Sequence, residues 1–141
     1  MSVHKSKTII GRFEKLRFVD AKDVLVKAKV DTGAKTSTVH VSGIKEVVEN
    51  DKTYLEFYLL AKPDLKLRKS KFTKRKIKSS TGHMQERYVV ELPILFDSKK
   101  YNVEFSLSKR KSMNFEILLG RQFLRKGFIV DVAHSYSVSE D

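Results

Sequence analysis

Val30-Asp31-Thr32-Gly33-Ala34 follows directly from the run Val24-Leu25-Val26-Lys27-Ala28-Lys29. In that run Val26, Ala28 and Val30 alternate with Lys27 and Lys29, the period of a half-buried strand. Asp31 therefore stands where a strand gives way to a loop. Its carboxylate is a group that can activate water. The Thr32 hydroxyl can both donate and accept hydrogen bonds and so hold the loop. Gly33 has no Cβ, which lets a substrate or partner backbone come close. Ala34 leaves room beside the carboxylate. A plain strand followed by an Asp-x-Gly turn has the same letters, so the rest of the chain must decide.

The sequence has 141 residues, 40% of them hydrophobic. That suits one globular domain and argues against general disorder. The expected division is a single domain over 1–134 and a polar, frayed tail over 135–141. Cysteine is absent, which removes disulfides and thiolate metal sites from consideration. Met1 to Lys7 lacks the apolar run of a signal peptide, and no stretch approaches a membrane span. The expectation is a cytoplasmic protein with no membrane partner. The net charge of +12 points to an acidic partner, whether polypeptide, nucleic acid or ribosome.

Strand signals dominate the chain. Thr8 to Phe18 holds two short apolar groups around Gly11. Thr38 to Val41 is extended, and Ile44–Glu49 and Thr53–Leu60 flank a hairpin turn at Asn50-Asp51. Lys66 to Lys78 has eight basic residues among thirteen and no acidic one. It reads as a solvated loop or hairpin edge, where lysines also discourage aggregation. Ser79 to His83 is a turn. Glu86 to Phe96 is extended, with Pro93 interrupting it. Tyr101, Val103, Phe105 and Leu107 alternate with polar residues in a further strand. Phe115 to Gly120 is a short buried strand. Arg121 to Lys126 is a brief helix stopped by Gly127, and Phe128 to Val132 is a final strand.

Ile117-Leu118-Leu119-Gly120-Arg121 supplies the corroboration. Together with Asp31-Thr32-Gly33-Ala34, it resembles the paired motifs of retropepsin-like aspartic proteases. The resemblance narrows with Lys35-Thr36-Ser37, His40, Lys78-Ser79-Ser80, Gly82, Glu86-Arg87 and Phe115 to Phe123. These segments, in order, are similar to one bacterial and archaeal family commonly labelled an ATP-dependent zinc protease. That family is associated with RimK-type ATP-grasp ligases, which add glutamates to proteins. The resemblance implies an all-β, closed retropepsin-like barrel with a flap hairpin and one short C-terminal helix. Asp31 is then the catalytic residue, and Thr32, Gly33 and Ala34 form the active-site loop. Ser80, Gly82 and His83 lie at the flap, and Leu119, Gly120 and Arg121 form the second motif. Viral relatives carry an acidic residue after Asp-Thr-Gly-Ala that pairs with the motif arginine. Lys35 stands there in this chain, so that pair cannot form.

An aspartic protease needs two carboxylates in one site. Like charges that close cannot both ionise, so they share a proton. With a single Asp-Thr-Gly, the second Asp31 comes from another copy in a homodimer. Lys69, Lys71, Lys74, Arg75, Lys76 and Lys78 are candidates for holding an acidic substrate. The resemblance makes a polyglutamylated tail, such as that of a glutamate-modified ribosomal protein, the concrete case, with a functional link to an ATP-grasp glutamate ligase. The residues point to no cofactor. His4, His40, His83 and His134 are scattered, and His-Glu-x-x-His and a phosphate-binding Gly-rich loop are missing. His40 reads as a hydrogen-bonded structural histidine. Two alternatives stay open. One is a non-catalytic basic module binding RNA or the ribosome. The other is the zinc-dependent peptidase of the family label.

Overall fold

The computed structural model describes residues 7–78, 81–110 and 115–139. Short apolar alternations on either side of Gly11 become β1 (Thr8–Ile10) and β2 (Phe13–Phe18). β3 (Val24–Val30) ends at Asp31, and β4 (Ser37–Glu49) and β5 (Lys52–Leu59) form the expected hairpin. Its turn residues Asn50 and Asp51 both take the left-handed conformation, φ 52° and 63°, as a two-residue hairpin requires. β6 (Lys66–Lys69) and β7 (Thr73–Lys78) precede the long β8 (Met84–Phe96) and β9 (Lys99–Ser108). β10 (Ile117–Leu119), α1 (Arg121–Leu124) and β11 (Phe128–Val130) follow.

β10 organises the fold. It runs parallel to β3 on one side and antiparallel to β4 on the other. β3 pairs with β2, β2 with β8, β8 with β9, and β9 with β4. The ring β10-β3-β2-β8-β9-β4 therefore returns to β10 and closes a barrel. The all-β retropepsin-like class read from the sequence is the class the chain adopts. β5, β6 and β7 extend the same sheet outside the ring, while β1 and β11 form a separate parallel pair.

The core is built from the buried residues of each alternation, among them Leu16, Phe18, Val39, Phe57, Leu92, Ile94, Phe105 and Ile117. Phe18 meets Phe105 at 5.6 Å between ring centres, and Phe96 meets Phe123 edge-on at 5.5 Å. Burying each such side chain contributes roughly 1.5–3 kcal/mol. The Phe123 contact holds α1 against the sheet, and so fixes the chain that leaves Gly120.

Four local expectations are revised. β4 is continuous where a break was expected, because a bulge between Ser42 and Lys45 absorbs the irregularity. Gly43 makes it possible: its φ is +61°, and a Cβ there would lie 2.8 Å from the Tyr58 ring. Pro93 does not interrupt β8; it sits opposite Asn102, and its carbonyl accepts the Val19 N–H at 3.1 Å. The basic run is neither a loop nor one hairpin. It divides into β6, paired with β5, and β7, paired with β8. Finally, Ser135–Ser139 is not frayed. Glu14 shares the inward face of β2 with Leu16 and Phe18 and is fully buried. A buried carboxylate requires donors. Gly11 N supplies one at 2.7 Å, and the tail supplies Ser137 N at 2.9 Å, Val138 N at 3.3 Å and the Ser139 hydroxyl.

Glu56 gives the fold an acid sensitivity. It lies on β5 beneath Arg68, whose Nε and Nη2 donate to it at 2.9 and 2.6 Å, with Lys66 at 3.4 Å. The Arg68 hydrogen bonds, and then Lys66, hold the Glu56 carboxyl below the ordinary value of 4.5 despite burial acting the other way. A carboxyl lowered in the folded state stabilises fully above its unfolded value and loses that contribution as pH falls through the folded value. The melting temperature should therefore drop between about pH 5 and pH 3, and Glu56→Gln should flatten that slope. Identical slopes in thermal melts of the two proteins would assign the acid sensitivity elsewhere.

Candidate active site

β3 delivers Asp31 to the end of the β3–β10 ladder. The Asp31 N–H donates to the Leu119 carbonyl at 2.9 Å, which continues the pairing of Val30 with Leu119 into the loop. Asp31 Oδ1 accepts the Gly33 N–H at 3.0 Å, and Ala34 N donates to the Asp31 carbonyl at 3.2 Å. These bonds curl the chain back on itself and fix the carboxylate. Asp31 is half-buried, while Thr32 and Gly33 are exposed. It is the Thr32 carbonyl, rather than the hydroxyl, that holds the loop to its neighbour: Arg121 Nη1 donates to it at 3.1 Å.

The second motif meets this loop along its whole length. Arg121 N donates to the Ala34 carbonyl at 2.8 Å and Gln122 N to the Lys35 carbonyl at 3.0 Å. Gly120 passes so close that a Cβ on it would lie 2.8–2.9 Å from Thr36 C, Thr36 O and Ala34 O. Its own N–H donates to Ser37 Oγ at 3.0 Å within the buried interior. The arginine of the motif thus has a partner although residue 35 is a lysine. A backbone carbonyl takes the guanidinium in place of a carboxylate.

Ser37 enters from the sequence only as part of the family resemblance, and neither it nor Thr38 is given a role there. Ser37 is buried and satisfies Gly120, and Thr38 Oγ1 lies 2.9 Å from Ser106 Oγ on β9. The available signal was a Thr-Ser-Thr run at the start of a strand whose next residue, Val39, is core. Such hydroxyls need partners once the strand is buried.

Residues 9–141 match the family described as "Retropepsin-like aspartic endopeptidase RimB". The chain belongs to this RimB-like family. A crystal structure of the Legionella pneumophila protein Lpg0085, of unknown function, superposes with a TM-score of 0.76 at 28% identity. The alignment covers 93% of this chain and 98% of that one. Curated relatives include a "Probable alpha-L-glutamate ligase" from Desulfotalea psychrophila, 30% identical over 99% of this chain, and one from Shewanella pealeana, 31% identical over 96%. The chain spans 31% of the length of each.

Placed in the RimB-like fold, the other candidates separate. Gly82 and His83 are exposed at the turn joining β7 to β8, and Gly82 has φ +86° with open space around it. Ser80 lies outside the described residues. Of the cations, Lys74 lies 3.8 Å from Glu46 and over the Tyr88 ring, and Arg75 forms a double bond pair with Glu104 at 2.8 and 3.1 Å. Lys69 is half-buried on β6, and Lys71, Lys76 and Lys78 are exposed. His40 departs from expectation: its Nδ1 is buried and, among the described residues, has no hydrogen-bond partner.

The zinc of the family label finds no donor set here. Among the described residues no three histidine, aspartate or glutamate side chains converge to hold a metal ion. His40 on β4, His83 at the hairpin tip and His134 after β11 occupy separate elements, and His134 is engaged with Asp131 at 2.8 Å. His4 lies outside the described residues. The described residues do not fit a zinc site.

Proposed function

We propose that this chain is an aspartic-type endopeptidase that works as a homodimer on acidic, polyglutamylated protein tails. The observation that carries the reading is the Asp31 loop. Leu119, Arg121 and Gln122 hold it from beneath through three backbone bonds, and the Arg121 guanidinium adds a fourth. Such a clamp sets the carboxylate in place before substrate arrives, which is what preorganised catalysis needs. Oδ1 is occupied by Gly33 N, so Oδ2 is the oxygen left to address water.

In the dimer, two Asp31 carboxylates face one another across a two-fold axis and share one proton. The ionised member takes a proton from water as the oxygen attacks the scissile carbonyl carbon. The protonated member donates to the carbonyl oxygen as it becomes tetrahedral. Collapse then breaks the C–N bond, and the leaving nitrogen takes a proton from the pair. Exposed Thr32 and Gly33 are the surface such a partner would cover. Ile9 on β1 and Val132 after β11 are 56% and 71% exposed, and a second copy would shield these as well.

The substrate class follows from charge. Lys71, Lys76 and Lys78 are exposed, in a protein of net charge +12, and attract polyanions. The relatives named as glutamate ligases suggest which polyanion. This module occupies about a third of their length, and hydrolysis of glutamate tails would oppose the chemistry that their name describes. A modified ribosomal protein is one such substrate. The test is intact-mass analysis over time of a protein carrying a C-terminal hexaglutamate extension, at low and high salt. Shortening that slows several-fold between about 0.05 and 0.5 M salt is expected. No shortening under either condition counts against the peptidase. Salt-independent shortening counts against the charged substrate.

A further inference from the structure

We propose that Arg87, on the outer face of β8, is a specificity residue that grips a carboxylate of the substrate tail. The reaction it serves is the peptidase reading above; the site itself stands on its own geometry.

The outer face can be followed strand by strand from the catalytic loop. Leu118 on β10 is opposite Thr38 on β4, and Thr38 is opposite Ser106 on β9. Ser106 is opposite Val89 on β8. Paired residues project on the same side of a sheet, and Arg87, two residues before Val89, shares its side. One row of the sheet therefore links the segment beneath Asp31 to Arg87, with Ser106 and Val89 buried along it. Counted round the ring in this direction β8 stands four strands from β3, and two by way of β2.

On this face Arg87 is the cation without an answer. It is half-buried, and directly opposite it on β7 is Arg75. Like charges opposed across a ladder destabilise it. Arg75 is neutralised by the two oxygens of Glu104, which also accepts Gln122 Nε2 at 3.0 Å. Among the described residues Arg87 has no carboxylate; Nη2 donates to the amide oxygen of Gln85 at 3.0 Å. Burial alone pushes its guanidinium down from the ordinary arginine value. A partly buried charge lacking a counter-ion is costly to the folded chain, and a substrate carboxylate would supply that counter-ion. The planar fork with donors to spare matches a glutamate side chain in two parallel bonds. Exposed Lys71, Lys76 and Lys78 attract at long range, whereas Arg87 offers a shaped contact.

The test compares labelled hexaglutamate and hexaglutamine peptides by fluorescence anisotropy, using the full chain with Asp31→Asn so that nothing is consumed. Adding Arg87→Gln is expected to weaken hexaglutamate binding about ten-fold or more and to leave hexaglutamine binding unchanged. Arg87→Lys should restore part of the loss. The unfolding midpoint of Arg87→Gln should hold or rise, since an unpaired charge has been removed; a structural arginine would lower it. In the otherwise unaltered protein Arg87→Gln should raise KM on a glutamate tail with kcat within about two-fold. The proposal is overturned if hexaglutamate does not bind, or if both peptides weaken equally. Loss of binding accompanied by a lower midpoint overturns it too, as does an effect seen on a labelled RNA alone. Failure of the peptidase reading looks different: Arg87-dependent hexaglutamate binding persists while the unaltered protein cleaves nothing.

Discussion

Asp31→Asn should lower the rate of tail shortening by about 10³-fold or more while leaving the fold in place. That loss corresponds to about 4 kcal/mol of transition-state stabilisation. Asparagine keeps the oxygen that accepts the Gly33 N–H, so the loop retains its internal bond and the melting temperature should move little. What disappears is the carboxylate that takes a proton from water in the proposed mechanism. Mixing adds a sharper test. If two Asp31 residues share one site, as proposed, about a nine-fold excess of the variant captures most unaltered subunits in mixed pairs, and activity per unaltered subunit falls about ten-fold. An enzyme that acts as a monomer would show no such poisoning. Retained activity in Asp31→Asn itself would move the chemistry away from this loop. Retained RNA binding with no hydrolysis by either protein would favour the basic binding module.

Gly120→Ala is the structural counterpart, and its effect should be nearly as large on activity. The added Cβ would sit 2.8–2.9 Å from backbone atoms of Ala34 and Thr36, and no rotamer relieves a backbone contact. β10 and α1 must then withdraw from the loop. Withdrawal weakens the bonds from Gly120 N to Ser37, from Arg121 N to Ala34 and from Gln122 N to Lys35. Overpacking and weakened hydrogen bonds together cost about 3–5 kcal/mol, a large share of the stability of an ordinary domain. The expected result is a melting temperature lower by about 10 °C or more and loss of tail shortening even where the chain still folds. A melt within about 2 °C of the unaltered protein would show that the contact relaxes without cost.

Much of this architecture could be read from the sequence, and for definite reasons. Alternation in Val24–Val30 and Tyr101–Leu107 reports a buried face directly, because one side of each strand packs in the barrel. The two motifs reported their own meeting, since an Asp-Thr-Gly loop and an apolar-apolar-Gly strand are both shapes that require a close neighbour. What stayed hidden depends on partners far along the chain. Arg121 bonds a backbone carbonyl, which leaves no trace in residue identity. The basic run showed its sign but not its division: Arg68, Lys74 and Arg75 are engaged by Glu56, Glu46 and Glu104, acids brought across the sheet by strand register. Glu14 carried a signal that was passed over. It occupies an inward position two residues from Leu16, and a carboxylate there must gather donors, which the C-terminal segment provides.

The position of β10 has a consequence in time. The strand that props up Asp31 lies about ninety residues further along the chain, and closing so long a loop is a slow, entropically costly step in folding. A chain emerging during synthesis could form the β2–β3 and β4–β5 hairpins early. It could not settle the loop at Asp31 until residues 117–122 had appeared and slotted between β3 and β4. On the peptidase reading, catalysis would thus be withheld from the nascent molecule until the barrel closes.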